Sequence, residues 1–134
     1  MKINSAHLFD AIYGAADAAG YLDELKPIQE YASNGSYAAF TIPSPDDLII
    51  ECRLNLHGNE GTWIDFYACF GSECKYFGCV KTLCEGPMAC RILGAVAGLL
   101  QYTAKWVVFQ LERAAYNGKT ITTAEIIERM KSRQ

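Results

Sequence analysis

The chain is 134 residues long, 51% hydrophobic and 20% charged, with a formal net charge of −3. A single core at this length buries roughly two-thirds of the unfolded surface, so residues 1–134 read as one domain, and the composition excludes disordered and fibrous classes. Acids and bases are interspersed from Glu51 and Arg53 to Glu128 and Arg129, with no basic block to follow a phosphate backbone, which sets nucleic acid aside as a partner.

Met1-Lys2-Ile3-Asn4 leads into polar, alanine-rich sequence without the apolar run of an export signal, so a cytoplasmic protein with reduced thiols is the expectation. Asn4 or Ser5 is placed to cap a first helix, in which Leu8, Ile12, Ala15 or Ala16, Ala19, Leu22 and Leu25 recur at helical spacing. This periodicity predicts a helix to about Leu25, stopped by Pro27 rather than by Gly20, with a short helical turn from Ile28 to Tyr31 before Asn34-Gly35.

Beyond that glycine the period changes to two. Ser36 to Ile42, closed by Pro43-Ser44-Pro45, is a first strand. In the next, Leu48, Ile50, Cys52, Leu54 and Leu56 form an apolar face against Ile49, Glu51, Arg53, Asn55 and His57. A hairpin turn at Gly58-Asn59-Glu60-Gly61 leads to a strand whose inward residues are Thr62, Ile64, Phe66, Ala68 and Phe70. After Gly71-Ser72-Glu73, the strand from Cys74 to about Leu83 alternates Tyr76, Gly78 and Val80 on the inward side with Lys75, Phe77, Cys79 and Lys81 on the outward side.

Pro87 suits the first position of a long helix that Asn117-Gly118 would end. Its stretch from Ile92 to Leu111 raises the question of a membrane span, yet it contains Gln101, Lys105 and Gln110, so a buried helix and no membrane is the expectation. Thr122-Thr123-Ala124-Glu125 is a capping box that opens a short helix bearing Ile126, Ile127 and Met130. The predicted class is α+β: an N-terminal helix, a four-stranded antiparallel meander, a long helix packed on one sheet face, and a short terminal helix.

The other sheet face does not have the composition of idle surface. Glu51, Arg53, His57, Trp63, Asp65, Tyr67, Lys75, Phe77 and Lys81 would share it, and aromatics among arginine and acids mark binding interfaces. Asp65 has two readings: an ion pair with Arg53 across the strands, or recognition of a partner. Gly94 and Gly98 on the long helix, with Gly14, Ala15, Ala18 and Ala19 on the first, allow close helix approach, within the chain or in a homodimer.

Cys69, Cys74, Cys79, Cys84 and Cys90 form a ladder with Cys52 outside it. Four-residue gaps dominate it, without the close pairs of zinc and iron–sulfur sites, and in an extended strand they put Cys69 and Cys79 outward and Cys74 inward. Cys84 and Cys90 flank the start of the long helix, where the dipole favours a thiolate, and are the only thiol candidates for catalysis. A nucleophile there would need a base, and His7 and His57 are the only histidines.

These readings lead to a small non-catalytic interaction protein, a regulator, chaperone or inhibitor of the kind phages and mobile elements also encode, without a cofactor and homodimeric. It would bind a protein or protein complex through the aromatic and charged sheet face. The alternatives are a thiol-based enzyme or redox protein using Cys84 or Cys90, and third, a metal-binding module using the ladder from Cys69 to Cys90.

Overall fold

The computed structural model describes residues 5–20, 37–42, 48–56, 62–70, 72–82 and 87–133. Helix α1 (Ser5–Ala18) precedes strands β1 (Tyr37–Ile42), β2 (Leu48–Leu56), β3 (Thr62–Phe70) and β4 (Glu73–Thr82), followed by α2 (Pro87–Tyr116) and α3 (Thr123–Ser132). The strands form one antiparallel sheet in the order β1-β2-β3-β4, the expected meander.

The period-two pattern determines which face is buried. Phe40 pairs with Ile50 and Ile50 with Ala68, while Cys52 pairs with Phe66 and Ile64 with Val80, and all of these side chains are buried. Helix α2 supplies Leu93, Val96, Leu100 and Val107 to the same core, and α1 supplies Leu8, Ile12, Ala15 and Ala16. By length and composition α2 could cross a bilayer, but one side of it is committed to this core.

Helix α1 ends earlier than its periodicity suggests. Gly20 adopts φ 76°, a left-handed conformation that terminates the helix after Ala18, and its N–H bonds to the Asp17 carbonyl. Leu22, Leu25 and the expected turn from Ile28 to Tyr31 lie outside the described residues. The later helix signals hold: Lys119 N–H bonds to Ala114 O (2.8 Å) and Gly118 N–H to Ala115 O (3.0 Å), closing α2 with Gly118 at φ 69°. Thr122 and Glu125 form the capping box of α3.

Small residues on α1 serve internal packing. A Cβ on Gly14 would stand 2.8 Å from Ile127 Cδ1, so the missing side chain is what lets α3 approach α1. His7 ties the same pair of elements: Nε2 donates to Ile121 O (3.0 Å), which leaves Nδ1 to accept from the Thr123 hydroxyl (3.3 Å).

The sheet departs from strict alternation at one place. Phe66 faces Gly78, whereas the next residue, Tyr67, faces Tyr76, so Phe77 is an extra residue in β4. Both Phe77 and Gly78 turn toward the helices. Phe77 packs against Phe9 (ring centroids 4.6 Å apart), Tyr13 (5.6 Å) and Phe66 (5.7 Å). Gly78 has φ 145°, and a Cβ there would meet the Tyr13 ring at 3.1 Å. A side chain at Gly78 is therefore strained and crowded at once. Gly78→Ala should lower unfolding free energy by about 1–3 kcal/mol, measured by urea denaturation; an unchanged midpoint would show that the bulge does not need glycine.

Candidate functional site

The bulge re-sorts the outer face of the sheet, because one inserted residue exchanges the faces of every position beyond it. Tyr76 and Cys74, expected inward, take outer-face positions opposite Tyr67 and Cys69. Phe77, expected outward, is half-buried against α1 and is removed from the candidate surface. Lys75 stands opposite Ala68, in register with the inner face, and remains exposed at the sheet edge.

The outer face is then a set of rungs. Tyr37, Arg53, Asp65 and Cys79 are successive cross-strand partners in one, and Ala39, Glu51, Tyr67 and Tyr76 in the next. Asn55, Trp63 and Lys81 make a third. His57 lies outside the described residues.

Side-chain contacts join the first two rungs into a continuous array. Tyr37 donates its hydroxyl to Glu51 Oε1 (2.8 Å), and Arg53 Nη2 pairs with Glu51 Oε2 (3.2 Å). The Arg53 guanidinium lies over the Tyr37 ring at 5.5 Å and over the Tyr67 ring at 5.7 Å, and Tyr67 meets Tyr76 with centroids 5.4 Å apart. A planar guanidinium can cover aromatic rings with its faces while its edge keeps the ion pair to Glu51, so both contacts hold the array at once. Hydrogen bonding to the carboxylate raises the Tyr37 phenol above its ordinary range, and a hydrogen bond with Cys79 raises Tyr76 in the same direction.

Of the two readings of Asp65, the ion pair with Arg53 is not formed among the described residues. Although the two residues are directly opposite, Arg53 engages Glu51 on its own strand, and Asp65 accepts from the Asn55 amide. Asp65 is buried at 7% exposure, between Trp63 and Tyr67 along β3. A buried carboxylate has to be held by donors, and Asn55 supplies one without bringing a second charge into the site.

The ladder of cysteines is also re-sorted. With Cys74 moved outward by the bulge it stands opposite Cys69, and the two form a disulfide across the β3–β4 hairpin. This corrects the expectation of Cys74 inward. Cytosolic thiol pools reduce such bonds and oxidising compartments preserve them. Cys79 is exposed and free, and Cys90 is half-buried in the first turns of α2. Cys84 lies outside the described residues, and His7 is engaged at the α1–α3 junction. Among the described residues no three histidine, cysteine or carboxylate groups are placed to hold a metal ion.

The sequence signals missed Tyr37 and Tyr76. Tyr76 was recoverable in principle, since a glycine inside a strand pattern marks bulges. The pairing of Tyr37 with Arg53 depends on the connection between β1 and β2, which hydrophobic alternation does not encode. A cavity of about 450 Å³ lies elsewhere, at the α2–α3 junction between Arg113, Lys119, Glu125 and Arg129. No family model, curated protein or solved structure matches this chain.

Burial pushes the Cys52 thiol up to about 12, so it stays protonated and inert in the folded protein. The unfolded thiol ionises above about 8.5 while the folded one holds its proton to about 12, so this stabilisation is complete below that window and lost as pH rises through it. Cys52→Val should flatten the loss of stability between about pH 8.5 and 10, read from urea midpoints. A neutral-pH thiol titration should modify Cys79 before Cys52; equal rates would contradict the burial.

Proposed function

We propose that this is a non-catalytic interaction protein, a regulator, chaperone or inhibitor, that binds a protein partner through the outer sheet face. The observation carrying this reading is the array of Tyr37, Arg53, Tyr67 and Tyr76, which spans all four strands. Tyr37 and Tyr76 are 48% and 56% exposed, so the array ends in accessible aromatic rings at both edges of the sheet.

Tyrosine, tryptophan and arginine dominate the energetics of protein interfaces because they offer large contact area with few rotatable bonds and a polar tip. Here their rotamers are fixed before binding by cross-strand contacts, which lowers the entropy cost of association. Half-buried Trp63 and buried Asp65 continue the surface toward Asn55, giving apolar area bordered by both charge signs at Glu51 and Arg53. An acidic chain with an aromatic, mixed-charge face suits a protein surface better than a polyanion.

Affinity capture from the native host tests the reading. A partner held by the wild type should be lost by Tyr67→Ala with Tyr76→Ala, at a cost of about 2 kcal/mol or more, roughly thirtyfold in Kd. Circular dichroism should be unchanged, since both positions lie outside the helical core. Equal retention by wild type and variant would place binding on another surface.

A further inference from the structure

Helix α2 carries a second, largely aromatic stripe that lies mostly outside the core, with Trp106 alone packed against the core's edge. Leu99, Tyr102, Trp106, Phe109, Arg113 and Tyr116 recur at alternating steps of three and four residues, the spacing of a coiled-coil seam. At 100° per residue this stripe is centred about 140° from the buried line of Leu93, Val96, Leu100 and Val107, with Leu99 and Trp106 on the side nearer the core. Tyr102 and Phe109 are each 55% exposed and Tyr116 is 93% exposed. Trp106 is half-buried at the margin, where the Arg133 guanidinium from the end of α3 reaches its ring at 5.2 Å.

From this pattern we infer that α2 is a self-association surface, and that its occupant is the α2 of a second copy of this chain, antiparallel about a two-fold axis level with Val107 and Val108. The argument is self-complementarity. In that register Leu99 meets the partner's Tyr116, Tyr102 meets the partner's Arg113 as a cation–π pair, and Trp106 meets the partner's Phe109, each contact occurring twice by symmetry. On the flank, Lys105 faces the partner's Glu112.

Both flanking residues are exposed, and neither has an ion-pair partner among the described residues. Sliding the axis back by half a heptad, to the level of Ala104, would set Lys105 against the partner's Lys105, so charge as well as packing selects the register. The seam from Leu99 to Tyr116 is roughly 27 Å long and lies on a helix, apart from the sheet face proposed for a protein partner.

Sedimentation equilibrium of the full chain should show a monomer–dimer equilibrium. Phe109→Glu should raise the dimer Kd by roughly tenfold or more, and Tyr116→Glu, at a site too exposed to affect folding, should weaken it in the same direction. Lys105→Glu should weaken the dimer by like-charge repulsion, and Lys105→Glu combined with Glu112→Lys should restore it. A wild type that stays monomeric, a dimer indifferent to both Phe109→Glu and Tyr116→Glu, or a double charge reversal that fails to restore association would each overturn the inference. So would a monomer that floats with phosphatidylcholine vesicles, which would assign the stripe to lipid.

Discussion

Two residues of β4, Phe77 and Gly78, stand opposite one residue of β3, and the arrangement of both sheet faces depends on that mismatch. Phe77 can enter the core only because β4 carries the extra residue, and the core needs it: its ring fills the space between Phe9, Tyr13 and Phe66. Gly78 accommodates the bulge in a conformation other residues avoid, with the Tyr13 ring lying where a side chain would be. The same insertion delivers Tyr76 to Tyr67 and Cys74 to Cys69 on the opposite face. A packing requirement on one side of the sheet thus determines the chemistry presented on the other.

The elements were legible in the sequence because each is marked by a local rule. Leu48 to Leu56 alternates without exception on its apolar face, Pro87 and Gly118 bracket α2, and Thr122 with Glu125 opens α3. The end of α1 was misread because apolar spacing continues past Gly20, and only the backbone shows that the glycine takes a left-handed conformation. The outer face was half legible: Arg53, Trp63, Asp65 and Tyr67 follow from alternation alone. Beyond Gly78, alternation assigned Lys75, Phe77, Tyr76 and Cys74 to the wrong sides. A bulge is a tertiary choice, matched here by the packing of Phe77 against Phe9 and Tyr13, and no period in β4 announces it.

The charges on the outer face follow the same logic of prior commitment. Arg53 lies directly opposite Asp65 but is retained by Glu51 and by the faces of Tyr37 and Tyr67. Each contact of this kind is worth only about 0.5–1 kcal/mol at an exposed site, so none is a pillar of stability. Together they hold the guanidinium and three tyrosine rings in one geometry. That is a cost usually met at binding, and here it is met on folding. The seam on α2 differs in kind: Tyr102, Phe109 and Tyr116 are exposed, and the complement proposed for them is a second copy of the same stripe.

Nuclear Overhauser contacts among the aromatic rings test the register most directly. The bulge predicts cross-peaks from Phe77 to Phe9 and Tyr13, together with Tyr76 to Tyr67. Cross-peaks from Phe77 to Tyr67, with Tyr76 instead contacting α1, would mean that β4 alternates without interruption, and the outer face described here would then be composed of different residues.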